Sequence, residues 1–192
     1  MFEHFCSFFN TSHSQQSGDF NEMMLNDLQS NTKGFVELFS LYNGESFGKG
    51  LYRLHNISKI NEWNKIIIHA FPEYTGRISC FGYDWLGRHF ALDRERVVNG
   101  QSQILMFEPG TGEVLEIPCS FDDFHNDEIP NYHEACLASD FYLKWKKSKE
   151  LILKNEECVG YKVMLFLGGL DEVENLEKSN MGVYWHICSQ LI

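Results

Sequence analysis

Hydrophobic positions along the chain follow two spacings, and the switches between them set out its elements. Phe20, Met23, Met24 and Leu28 recur at helical intervals, and Phe35, Val36, Leu38, Phe39 and Tyr42 predict a second helix, stopped by Asn43-Gly44. From Gly50 to Leu54 the residues become β-prone. After a connector reaching Trp63, short strands are expected over residues 77–83, 88–93, 103–108 and 113–117. The turns between them are Asp84-Trp85-Leu86-Gly87, whose glycine can supply positive φ, and Pro109-Gly110-Thr111-Gly112, the clearest hairpin signal in the chain. Strands this close in sequence leave no room for crossover helices, so the sheet is expected to be mainly antiparallel. The predicted class is α+β, with helices packed on one side of the sheet.

The second half returns to helical spacing. Ser120 stands three residues before Asp123, an S-x-x-D cap opening a helical turn with Phe121 and Phe124 inside, and Pro130 is expected to end it. A longer helix is expected over residues 131–148, with Leu137, Phe141 and Trp145 on one face and lysines in its last turn, where cations suit the helix dipole. The run GYKVMLFLGG over residues 160–169 is too short to span a membrane. It predicts a buried strand, with a turn at Gly169 needing positive φ, feeding a terminal helix from near Ser179 or Asn180 with Tyr184, Ile187, Cys188 and Leu191 on its inner face. Residues 11–18, rich in Ser and Gln, lack the apolar surface to fix themselves. The expected organisation is a loose arm over residues 1–19, an α+β body over 20–130 and a C-terminal segment over 131–192 packed on it.

Composition narrows the functional classes. A chain of 192 residues with 43% hydrophobic content and 16 phenylalanines can bury roughly 70% of its unfolded surface without a cofactor. The formal net charge of −11 disfavours nucleic-acid binding, which needs clustered Lys and Arg, and favours basic partners. Six widely spaced cysteines with no C-x-x-C pair point to buried free thiols and a reducing cytoplasm. The apolar N-terminus carries Glu3 and lacks a basic n-region, so neither a signal peptide nor a membrane contact is expected.

Four pieces in order carry a family resemblance: Gly160-Tyr161, Leu165-Phe166-Leu167-Gly168-Gly169, Glu174-Asn175-Leu176-Glu177, and Tyr184-Trp185 with Ile187 and Gln190-Leu191. This ending resembles the C-terminal domain of Tdi-type immunity proteins of type VI secretion. The middle region, through Gly82-Tyr83-Asp84, Gly87, Gly110, Gly112, Glu113 and Ser120-Phe121, is similar to GAD-like and SUKH-type (Smi/Knr-like) immunity folds. The first fifty residues carry no such match. The resemblance implies a protein that binds and neutralises a cognate effector toxin, a nuclease and in particular a DNase, without enzymatic activity or cofactor, as a monomer when free. The alternative is a SUKH-like regulatory or scaffold protein that binds a cellular protein unrelated to toxins.

Chemistry-bearing motifs are sparse. Cys119, His125, His133 and Cys136 are a C-x5-H-x7-H-x2-C series of zinc-ligand types, but only His133 and Cys136 are close, and two of the four would have to leave their helix faces together. There is no nucleophile elbow, phosphate loop or dinucleotide fingerprint, and no catalytic or metal residue is assigned.

Charge is distributed unevenly. No Lys or Arg lies between Arg96 and Lys144, while Glu108, Glu113, Glu116, Asp122, Asp123, Asp127, Glu128, Glu134 and Asp140 all fall in that window. These carboxylates are either the solvated faces of hairpins and helix starts or a docking surface that imitates nucleic acid toward a basic effector. On the second reading the contact residues are Asp122, Asp123, Asp127 and Glu128, with Tyr132 as an aromatic anchor; Phe124 fits the core better.

Overall fold

The computed structural model describes residues 2–11, 20–148 and 153–192. Its centre is a six-stranded sheet in which every neighbour is also the neighbour in sequence: β1 (Ser46–Phe47), β2 (Tyr52–Leu54), β3 (Ile78–Asp84), β4 (His89–Val98), β5 (Gln101–Glu108) and β6 (Glu113–Ser120). All pairs are antiparallel, as the short connections require. A separate hairpin pairs β7 (Glu157–Tyr161) with β8 (Leu176–Asn180). The α+β class and the four hairpin strands are therefore as the sequence predicts. The first turn is held from within: the buried Asp84 carboxylate accepts Leu86 N and Arg88 N at 3.0 Å and Arg88 Nε at 2.6 Å, while Gly87 sits at φ +76°.

Helices cover both faces of this sheet, which corrects the one-sided expectation. Consecutive strand residues point to opposite faces. On β4, Phe90 packs against Phe124, while His89 packs against Trp63 and Trp185. The first face is closed by α1 (Glu3–Phe9), α3 (Phe35–Tyr42), α5 (Phe121–Asp123), a π-helical turn (Phe124–Glu128) and α6 (Ile129–Leu137), numbering the short α2 (Asp27–Ser30) in between. The second is closed by α4 (Ile60–Ala70) and α8 (Met181–Ser189). The stretch expected to be a connector through Trp63 is α4 itself, whose Ile60, Trp63 and Ile67 keep i, i+3, i+7 spacing. The Asn64 side chain accepts Cys80 N at 2.8 Å, at the bulge where β3 shifts register between Cys80 and Gly82.

Other boundaries move for identifiable reasons. The first part of the expected loose arm is α1, tied down because Phe2 and Phe5 are buried against Phe121, His125 and Phe47; residues 12–19 lie outside the described residues. The helix expected from Phe20 is only a 3-10 turn, Glu22–Met24, and α2, with Met23 92% exposed. The helix expected over 131–148 is two, α6 and α7 (Ser139–Ser148), broken at Ala138 in the left-handed region. Trp85 Nε1 and Arg88 Nη2 take the carbonyls of Leu137 and Cys136, and the Glu134 carboxylate accepts Asp140 N at 2.6 Å. These tertiary donors and an upstream acid end one helix and cap the next. The apolar run leaves β7 after Tyr161 and folds into a 3-10 turn, Leu165–Leu167, before Gly168 at φ +89°. In α8 the buried face is Met181, Tyr184, Trp185 and Cys188, while Ile187 and Leu191 are exposed.

The C-terminal segment shares the core. Val159 N donates to Trp85 O, Trp185 Nε1 to Gly87 O, Tyr142 Oη to Lys49 O and Leu165 N to Gly110 O, each within 2.9 Å. All six cysteines are free, and five are buried.

Candidate docking surface

The helical segment after β6 is fixed by its buried side. Ser120 caps it, its Oγ accepting Asp123 N at 3.2 Å, as the S-x-x-D spacing predicts. Pro130 has no N–H for the carbonyl of Asn126, and here the chain widens into the π-helical turn instead of ending. The turn carries Phe124 and His125 into the core. His125 Nδ1 donates to Phe121 O at 2.8 Å, which leaves Nε2 to accept the Tyr52 hydroxyl at 2.9 Å. Burial pushes its pKa down to about 3, so the ring is neutral and serves as a two-ended brace.

The opposite side of the same turn faces solvent. Asp123, Asp127 and Tyr132 are exposed, the last by 57%, and Glu128 is half-buried. Tyr132 departs from helical geometry (φ −127°, ψ 33°), so its ring leaves the helix at a place regular geometry would not put it. Asp127 accepts Asn131 Nδ2 at 2.7 Å. Asp122 differs from the others: its side chain is 13% exposed, pairs with Lys33 and accepts Asn126 Nδ2 at 2.8 Å. Lys33 comes from a region far away in sequence, so the acid-only window gave no sign of it. Of the five predicted contact residues, Asp123, Asp127 and Tyr132 are thus exposed and Glu128 is half-buried, whereas Asp122 is mostly covered and paired with Lys33.

The nine carboxylates of the window do not form one patch. Ser120 lies opposite Gln103 at one end of the β5–β6 hairpin, and Glu113 opposite Glu108 at the other, a separation of about 20 Å along the strands. Glu116 meets Arg96 at 3.4 Å, and the Glu134 carboxylate is occupied by Ser139 Oγ and Asp140 N. What remains accessible around the π-helical turn is Asp123, Asp127, part of Glu128 and the Tyr132 ring.

The Cys/His series does not converge. His125 has both ring nitrogens engaged, and His133 Nδ1 lies 2.6 Å from Ser139 Oγ. Burial raises the Cys119 thiol and pushes Cys136 up to about 11, with Glu128 adding to both shifts. These are protonated thiols facing an acid, the reverse of what a thiolate ligand needs. No group of three or more metal-ligating side chains comes together among the described residues.

Residues 120–192 match the family model described as T6SS immunity protein Tdi1, C-terminal. Among solved structures, the crystal structure of Atu4351 from Agrobacterium tumefaciens is similar over 99% of this chain and 89% of that one, with a TM-score of 0.64 and 12% identity, a likeness of fold. No curated protein matches the sequence. The matched segment runs from the Ser120 cap onward and includes the turn that carries the acids, so over residues 120–192 the chain is similar to the C-terminal part of the T6SS immunity protein Tdi1.

Proposed function

We propose that this protein is a type VI secretion immunity protein that binds its cognate effector, a DNase, and blocks it by covering the active site or substrate groove. The observation that carries the reading is the Tdi1 match over residues 120–192. The exposed Asp123 and Asp127 and the half-buried Glu128, with Tyr132 on the same segment, supply a matching chemistry. A nuclease groove built to hold phosphates is basic, and a protein of net charge −11 approaching it is steered, then held by the aromatic ring among carboxylates. Inhibition of this kind needs no cofactor and no turnover. The protein acts in the cytoplasm as a monomer until it meets the effector; among the described residues no helix is long and apolar enough to cross a membrane.

The test is co-purification with the effector and titration of its nuclease activity, with one-to-one loss expected. Asp123→Lys with Asp127→Lys should slow association about tenfold at low salt, with the gap closing as salt rises, whereas Tyr132→Ala should act on dissociation. Unchanged kinetics in both variants would move the contact to another surface. An effector that neither binds nor loses activity would remove the immunity reading itself.

A further inference from the structure

On the sheet face opposite the acidic turn, a cleft of about 430 Å³ opens where the turn after α3, the helix α4 and the corner between β8 and α8 meet. That is the size range of a small-molecule site, and it lies where two chain segments remote in sequence close on each other. One wall is the half-buried indole of Trp63, and His55 lies beside it, its ring stacked on Trp63 at 5.6 Å. His55 is 2% exposed, and its Nε2 has no hydrogen-bond partner. An imidazole nitrogen left bare in the interior costs free energy, the kind of deficit that marks a site shaped for something else.

Four asparagine side chains border the same cleft, and each is locked at one end. Asn43 Oδ1 accepts Ile57 N at 2.7 Å, Asn56 Oδ1 accepts Ser58 N at 3.0 Å and Asn180 Oδ1 accepts Val183 N at 3.0 Å. Asn155 Nδ2 donates to Gly44 O at 3.3 Å. Two helix-capping bonds, at Asn56 and Asn180, and two long-range bonds, at Asn43 and Asn155, therefore fix the orientation of the four amides. Their other ends, three Nδ2 donors and the Asn155 Oδ1 acceptor, meet no protein partner among the described residues, and Asn43 Nδ2 is sealed from water without one. Pre-oriented amides beside an aromatic wall fit a ligand with a flat ring and an edge of carbonyl or ring-nitrogen acceptors. Charge narrows the class further. Among the described lining residues the cation at the rim is Lys59, which is paired with Glu62 at 3.0 Å, and Glu156 adds a second acid, so a phosphate is disfavoured.

We propose that this cleft binds an uncharged nucleoside, its base lying on Trp63 and its base edge and ribose hydroxyls meeting the accessible amides of Asn56, Asn155 and Asn180. The site is separate from the docking surface, and it joins residues 43–83 to residues 155–182, so the bound nucleoside tightens the C-terminal segment onto the body. The test uses the full chain alone. Adenosine, guanosine, cytidine and uridine are titrated by calorimetry and by melting temperature, alongside their 5′-monophosphates, glucose and N-acetylglucosamine. At least one nucleoside should bind and raise the melting temperature, with its monophosphate about tenfold weaker. Trp63→Ala should abolish binding and Trp63→Phe retain it. Because truncating a half-buried indole can loosen the fold, Asn155→Ala is the second variant: its amide is exposed and makes one long bond, and it should weaken binding about tenfold with the melting temperature of the free protein unchanged. Four nucleosides without heat or thermal shift up to millimolar concentration (about −4 kcal/mol, the floor of useful affinity) would overturn the proposal. So would binding indifferent to both variants, a monophosphate tighter than its nucleoside, or a sugar that binds where nucleosides do not.

Discussion

Two groups of buried histidines lie on opposite faces of one sheet, and they are treated differently. On the face closed by α1 and the π-helical turn, His125 donates to Phe121 O and accepts from Tyr52, so every polar atom of the ring is used. On the face closed by α4 and α8, His55 and His89 stack 5.1 Å apart between Trp63 and Tyr83, and each leaves Nε2 without a partner. Both groups are equally sealed from water. The first reads as structure, a polar pin in an aromatic core, and the second as an interior left incomplete beside a cleft. Burial alone therefore does not separate a structural histidine from one at a binding site; the hydrogen-bond inventory does.

The two groups nonetheless share one property, and it supplies the largest expected effect. Burial lowers all three pKa values, His125 and His89 to about 3 and His55 well below 6.5, with His89 adding to the shift at His55. Above pH 6.5 neither folded nor unfolded chain protonates them. Below it the unfolded chain takes up three protons that the native chain refuses, so stability is full at neutral pH and is lost as pH falls from 6.5 toward 3. His125 and His89 each contribute about 1.4 kcal/mol per pH unit in that window, so together they should lose about 3 kcal/mol between pH 7 and pH 5.5, and His55 adds to that loss in the same direction. Urea midpoints across that range measure it. A flat profile would mean that one group or both opens to water.

Replacing one member of each group then separates them. His125→Leu strands the Tyr52 hydroxyl, fully buried with no other acceptor among the described residues, and loosens contacts to Phe2, Phe5 and Phe81; a loss of about 3 kcal/mol is expected by denaturant unfolding. A loss under about 1 kcal/mol would deny that the bond to Tyr52 is made.

Between these extremes lies a position the sequence marked for the wrong reason. The double glycine at the end of GYKVMLFLGG predicts a turn with positive φ at Gly169, whereas the left-handed residue is Gly168. Gly169 is required by space: a Cβ there would meet the Val163 carbonyl, which Asn175 Nδ2 holds at 2.8 Å. Gly169→Ala should cost about 2 kcal/mol, and an unaltered melting temperature would show that the loop can move aside. The same division runs through the whole reading. Hairpin strands and the Ser120 cap were legible because their signals are local: alternation, turn glycines, S-x-x-D spacing. The break at Ala138, the helical role of residues 60–70, the Lys33 partner of Asp122 and the asparagine-lined cleft were not. Each depends on contacts between residues far apart in sequence, such as Trp85 with Leu137, Asn64 with Cys80, or Asn180 with the cleft that also holds Asn43. The acidic window was visible as composition, but which acids remain free was decided by tertiary partners.

The smallest expected effect is the sharpest test of the contrast. His89 Nδ1 donates to Gly87 O at 3.0 Å, but Trp185 Nε1 donates to the same carbonyl at 2.8 Å. Removing the imidazole therefore leaves that acceptor satisfied, and it also removes the bare Nε2 from the interior. Phe at this position keeps a ring among Trp63, His55, Tyr83 and Trp185, adding only modest volume. His89→Phe should change stability by less than about 1 kcal/mol, in contrast to the loss at His125, and should reduce by one the protons taken up on unfolding below pH 6.5. A penalty as large as that of His125→Leu would mean that His89 Nε2 has a partner that completes it, and the two faces would then be alike.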